Sequence, residues 1–153
     1  MLLFRITKKE FSQNLFASGN MGRWNVFGQK VIYTSESVCL AMLENMIRIK
    51  GVGFEDKFQT MVIYVPDNSG VSAVNHKDLP DEWRKTQNYG ATQEIGKEWF
   101  LENKNLLLKV PSAILPISSN YVINTFHKDF KNVKLIDVLD FVPDERLEKI
   151  LIK

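Results

Sequence analysis

Three residues of this chain could bring chemically different groups to one cleft: Arg23, Tyr33 and Glu44. A guanidinium fork matches two oxygens of a phosphate. A tyrosine ring packs on a planar ligand and keeps water from one face. A fixed carboxylate stabilises positive charge that develops in a transition state. The stretch Met21–Arg48, MGRWNVFGQKVIYTSESVCLAMLENMIR, carries all three. A Gly22-Arg23-Trp24-Asn25 loop leads to a turn at Gly28, then to a β-rich run over Lys30–Tyr33, then to a helix. Loop, strand end and helix can thus bring three different groups to one cleft. Arg5, inside an apolar run, and Ser112, after a proline at a strand edge, are further candidates.

Each residue also has an ordinary reading. Arg5 can be a strand residue whose guanidinium reaches solvent, or an inward arginine pairing a phosphate. Gly22-Arg23 can simply be a turn. Trp24 is expected to be a core anchor rather than a stacking platform. Glu44 has Arg48 four residues on, and such a surface pair is worth only ~0.3–0.5 kcal/mol. Ser112 can be a turn serine satisfying its own backbone, or a hydroxyl aimed at a ligand.

The elements that must position these groups follow from pattern. Leu2–Thr7 is β-compatible and opens the sheet. Glu10–Ala17 fits a helical turn or two, ended by Ser18, Gly19 and Asn20. Val31-Ile32-Tyr33 is a buried strand. Ser35 is the expected N-cap of a helix with Glu36 in its first turn. That helix runs to about Ile49 and is stopped by Gly51 and Gly53. Its apolar stripe, Cys39, Met42, Leu43, Met46 and Ile47, predicts the core face, with Cys39 a buried thiol.

Further strands are expected at Lys57–Pro66, Val71–Asn75, Leu106–Val110, Tyr121–Asn124 and Val133–Phe141. A helix is expected over Ala91–Glu102, with Ile95, Trp99 and Leu101 partly buried, and a short helix near Pro143–Leu147. His76 reads as a surface residue. Several strands with two or three helices and no βαβ alternation predict an α+β fold, one domain over 1–153, with a mixed or antiparallel sheet.

Composition narrows the function classes. The chain has 153 residues, 44% hydrophobic and 25% charged, as expected of one globular domain. A net charge of +2 without a dense basic block gives no footprint for direct nucleic-acid binding. One cysteine, Cys39, excludes an internal disulfide and a cysteine-rich zinc site. The opening MLLFRITKKEF lacks the apolar length of a signal peptide. No run approaches the ~20 apolar residues of a membrane span, so a cytoplasmic protein is expected. Glycine-rich nucleotide loops, His-Glu-x-x-His and Gly-x-Ser-x-Gly are absent, and only His76 and His127 are available as imidazoles. No metal is expected.

Taken in order, a set of short segments resembles the RES domain family, named for its arginine, glutamate and serine. They are Phe4-Arg5-Ile6-Thr7, Gly22-Arg23-Trp24-Asn25, Val31-Ile32-Tyr33-Thr34-Ser35 and Leu40-Ala41-Met42-Leu43-Glu44. Leu79-Pro80-Asp81-Glu82-Trp83, Val110-Pro111-Ser112-Ala113, and Asn120-Tyr121-Val122-Ile123-Asn124 with His127 and Phe130 complete it. The resemblance spans nearly the whole chain. Asn124 is followed by Thr125, where the family often has proline, which affects loop stiffness more than chemistry.

The resemblance implies a fold similar to ADP-ribosyltransferases and NAD as substrate. It implies a toxin of a bacterial toxin–antitoxin pair, whose partner is an Xre-type helix-turn-helix antitoxin that blocks the active site, and it allows a higher-order toxin–antitoxin complex. It places Arg23, Tyr33 and Glu44 at catalytic positions, and Arg5, Ser112 and Asn124 at cofactor-binding positions. Cleavage of the nicotinamide–ribose bond passes through an oxocarbenium-like state, as glycoside cleavage does. The acceptor stays open between water, phosphate and a protein side chain. A non-catalytic partner-binding domain with a vestigial cleft is the competing class.

Overall fold

A computed structural model describes residues 1–49 and 57–151. In chain order its elements are β1 (Leu2–Lys8), β2 (Val31–Ser35), α1 (Val38–Ile49), β3 (Phe58–Tyr64), β4 (Val71–Ala73), α2 (Gly90–Glu102), β5 (Leu107–Pro111), β6 (Ser119–Asn124), β7 (Lys134–Asp140) and α3 (Glu145–Leu151). Among the described residues the strands form one sheet of order β4-β5-β6-β2-β1-β3-β7. The β4–β5 pair is parallel and the others antiparallel. The fold is α+β with a mixed sheet, as the pattern of elements predicts.

The sheet is weakly joined at its middle. β1 and β2 meet in register at Phe4–Ser35 alone, whereas β1 pairs β3 along seven positions. Successive side chains of a strand alternate between faces. Val31, Tyr33 and Ser35 of β2 therefore share one face with Asn120 and Val122 of β6 and with Leu108 and Val110 of β5. Both long helices cover this face. Ala41 of α1 packs with Ile6 and Phe58, and Trp99 of α2 packs with Val31, Leu108 and Val122. The opposite face buries Leu3, Ile32, Met61, Ile63, Leu107 and Ile123 beneath Leu15, Ala17 and Phe130.

Several local expectations need correction. The cap of α1 is Ser37, not Ser35: its Oγ accepts from the Leu40 amide at 3.2 Å and its carbonyl from Ala41 at 3.0 Å. Ser35 is instead the last residue of β2, where its backbone is already committed to the sheet. The inward face of α1 is Leu40, Ala41 and Asn45, while Cys39 is exposed and Ile47 is 65% exposed. Met42 and Met46 of the expected stripe are half-buried against Ile6 and Phe58, so the stripe shifts at its edges: Cys39 and Ile47 turn outward and Asn45 turns in. Only Lys9–Phe11 of the expected turn over Glu10–Ala17 is helical, as a 3₁₀ turn. β4 ends at Ala73, and Leu101 is exposed although Trp99 is buried. Gly51 and Gly53 lie outside the described residues. His76 is exposed and Trp24 is buried, as expected.

Candidate active site

The Gly22–Asn25 loop is closed by a bridge between its end residues, with the Gly22 amide donating to the Asn25 carbonyl at 3.1 Å. Tyr33 fixes this loop from β2. Its Oη accepts the Trp24 amide at 2.9 Å and donates to Asn25 Oδ1 at 2.8 Å. Gly22 is required here, since a Cβ would come within 2.6 Å of the Tyr33 hydroxyl oxygen. α2 closes the other side: Gln93 Nε2 donates to the Gly22 carbonyl at 2.9 Å, and a Cβ on Gly96 would overlap the Trp24 carbonyl. Burial holds the Tyr33 phenol well above the ordinary tyrosine value, with the Trp24 amide opposing it, and Tyr89 and Arg23 close enough to act on it electrostatically. The phenol therefore stays protonated, and its proton goes to Asn25.

Arg23 leaves this loop and spans two backbone carbonyls. Nη1 donates to the Trp83 carbonyl, and Nη2 to the Arg84 carbonyl at 2.9 Å. Its Cζ lies 4.6 Å from the Tyr89 ring centroid and 5.7 Å from that of Trp83, an arrangement that cation–π attraction favours. Trp83 is itself 2% exposed, packed against Trp24 at 6.2 Å between centroids.

Glu44 faces the sheet rather than solvent. Its Oε1 accepts from Ser112 Oγ at 2.8 Å and from Asn120 Nδ2 at 2.6 Å. Asn120 is oriented in turn by Ser35, whose Oγ donates to Asn120 Oδ1 at 2.7 Å. Ser112 is fully buried, and its Oγ also accepts the amides of Ile114 and Leu115, both at 3.1 Å. It is therefore a turn serine and a donor to Glu44 at once. The Glu44–Arg48 pair that the spacing offers is not made; Arg48 Nη2 donates to Asn45 Oδ1 at 3.3 Å.

The sheet brings two of the expected groups to one face. Tyr33 and Ser35 are two positions apart on β2, about 7 Å along the strand, and Ser35 leads through Asn120 to Glu44. Arg23 joins Tyr33 through the loop. Arg5 on β1 pairs Met61 in register and so starts from the other face of the sheet; it is half-buried, and Nη1 donates to the Phe16 carbonyl at 3.0 Å. Burial, then the charge of Arg48, bring its guanidinium down to about 10. Among the described residues no carboxylate pairs with Arg5. Asn124 is held apart, at the other end of β6 from Asn120. It is fully buried, donating to the Phe100 carbonyl at 3.4 Å and Asn103 Oδ1 at 3.0 Å, and accepting from the Phe126 amide at 2.9 Å.

Asn120, Ser35 and Gln93 escape sequence reasoning. One signal was available: Asn120 and Asn124 flank Val122 at spacing two, so β6 carries polar groups at both ends of a buried face. Among the described residues no group of His, Cys, Asp and Glu is arranged to hold a metal. Among the described residues no helix is long and apolar enough to cross a membrane.

The profile of the RES domain family matches residues 2–147, and the chain belongs to this family. Among curated relatives, a "Toxin Res" of Photorhabdus laumondii is 32% identical over 154 residues, covering 97% of this chain and 98% of the relative. A "Toxin Res" of Yersinia enterocolitica is 32% identical over 153 residues, covering 97% of this chain and 100% of the relative. A "Prs ADP-ribosylating toxin" of a Sphingobium species is 31% identical over 128 residues, covering 82% of this chain and 80% of the relative.

Proposed function

We propose that this chain is a toxin that consumes NAD by cleaving the bond between nicotinamide and ribose. The observation that carries the reading is Glu44: a carboxylate turned inward on α1, one oxygen fixed by Ser112 and Asn120, on the face that also holds Tyr33. Two donors on one oxygen leave the other free to meet a ribose hydroxyl or the positive charge of the reacting ring. Fixed charge aimed at a developing cation lowers a barrier without reorganisation during the reaction.

In the proposed reaction the glycosidic C–N bond breaks, and its electron pair leaves on neutral nicotinamide. The ribose carries the positive charge until an acceptor oxygen attacks C1′ and releases its proton. Arg5 is proposed to take the pyrophosphate. Its charge is unpaired by any described carboxylate, and Arg48 adds a second positive charge nearby, so an anion gains from both. Arg23 and the Tyr33 ring would shape the nicotinamide end, and Asn124 would stiffen β6. No metal is needed for a leaving group of this kind.

The acceptor divides two readings. Transfer to water or phosphate gives free products; transfer to a protein gives a modified target, the reading that the name of the Sphingobium relative favours. Incubating the purified chain with NAD, with and without phosphate, and following nicotinamide and ADP-ribose products separates hydrolysis from phosphorolysis. Label retained on protein identifies transfer. A cognate Xre-type antitoxin covering the cleft is the expected partner, and the cytoplasm, where NAD is plentiful, the expected compartment. Undiminished NAD in cells expressing the chain, together with tight binding of such a partner, would instead favour a non-catalytic domain.

A further inference from the structure

Arg84 has no assigned role, yet it joins the two halves of the site. Its neighbour Trp83 is anchored in the core, which fixes the 80–85 turn against Trp24. From that anchor Arg84 reaches across to the turn after β5. Nε donates to the Ala113 carbonyl at 2.7 Å and Nη2 to the Ile114 carbonyl at 3.3 Å. The peptides it holds are those whose amides meet Ser112: Ile114 and Leu115 donate to Ser112 Oγ, and Ser112 Oγ donates to Glu44. At its other end the carbonyl of Arg84 is gripped by Arg23. A continuous path therefore runs from Arg23 through Arg84 and the 112–115 turn to the Glu44 carboxylate.

We infer that Arg84 is a positioning residue for Glu44, acting through the Ser112 turn, and that Arg23 contributes to the same alignment by fixing Arg84. The inference rests on the proposed role of Glu44. Its physical basis is the capacity of the Ser112 hydroxyl. Two amides donate to its oxygen and its single proton goes to Glu44, so the direction of that proton depends on where the two amides sit. A planar guanidinium holds two successive carbonyls at a fixed spacing, which a flexible ammonium does not. Arg84 also lines an open cleft with Asp81, Glu82, Lys85 and Ala113. That cleft mixes acids and bases, which suits a rim and not an anion site.

The test is a double-mutant cycle on NAD consumption by the full chain. Arg84→Ala is expected to lower kcat about tenfold with KM for NAD within about twofold, and Arg84→Lys to recover only part of the loss. Ser112→Ala should lower kcat at least as much. Adding Arg84→Ala to Ser112→Ala should then cost nothing more, because the path is already cut. Full additivity of the two losses, or parental kcat in Arg84→Ala, would overturn the inference.

A readout independent of NAD is hydrogen exchange at the Ile114 and Leu115 amides, which should speed up about tenfold in Arg84→Ala while protection in β5 and β6 is kept. Unchanged exchange there would also overturn it. A parent chain that consumes no NAD would sink the proposed function, and the exchange arm would still decide whether Arg84 holds the turn.

Discussion

Glu44 and Asn45 are consecutive on α1, and their surroundings are opposite. Glu44 has two donors on one oxygen, each oriented by a further hydrogen bond. Asn45 is 3% exposed, and its Nδ2 meets no acceptor among the described residues. The same contrast extends outward. On the Glu44 side, Tyr33, Asn25, Gln93 and Ser112 all find partners and lock the loop, strand and turn. Beside Asn45 stands Arg48, whose charge reaches Arg5 on β1; neither arginine is paired with a described carboxylate. The first region holds a single geometry before any ligand arrives. Among the described residues the second holds a buried amide with no acceptor and two arginines with no carboxylate, the condition under which an anionic ligand gains most.

The sharpest way to break the first region is at its tightest contact. Gly96→Ala places a methyl against the Trp24 carbonyl and is expected to destabilise the fold by about 3 kcal/mol, measured by urea unfolding. A variant as stable as the parent would mean that α2 and the loop are free to separate. In the second region, Arg5→Gln should raise KM for NAD about tenfold, equal to about 1.4 kcal/mol, with kcat and melting temperature nearly unchanged. A parental KM would remove Arg5 from substrate binding. The smallest effect tests the buried amide itself. Asn45→Leu removes the orphaned Nδ2 and should stabilise the chain by up to about 1 kcal/mol, seen as a higher melting temperature. A loss of several degrees would mean that the amide is satisfied in solution.

The contrast also explains what was legible in the sequence. Strands such as Phe58–Tyr64 and Leu107–Pro111 follow from apolar runs ended by turn residues, and their bounds agree with expectation to within a residue or two. The α1 stripe misleads because periodicity weighs apolar area alone. Here the helix turns Glu44 and Asn45 toward the sheet and leaves Cys39 and Ile47 outside. Glu44 can occupy that face because Ser112 and Asn120 arrive from positions 68 and 76 residues away. No local pattern records such partners, and local rules fail first at a site where polar residues must be buried. Arg84 is hidden for the same reason, since its acceptors are backbone carbonyls that any sequence would supply.

The central claim is that Glu44 stabilises the cation formed when NAD loses nicotinamide. Nicotinamide release from NAD by the purified chain, set beside Glu44→Gln, tests it most directly, because the amide keeps the shape of the side chain and removes its charge. The expected outcome is release by the parent, a fall of at least about a thousandfold in the variant, and melting temperatures within a few degrees of each other. Equal rates of release from the two proteins would contradict it.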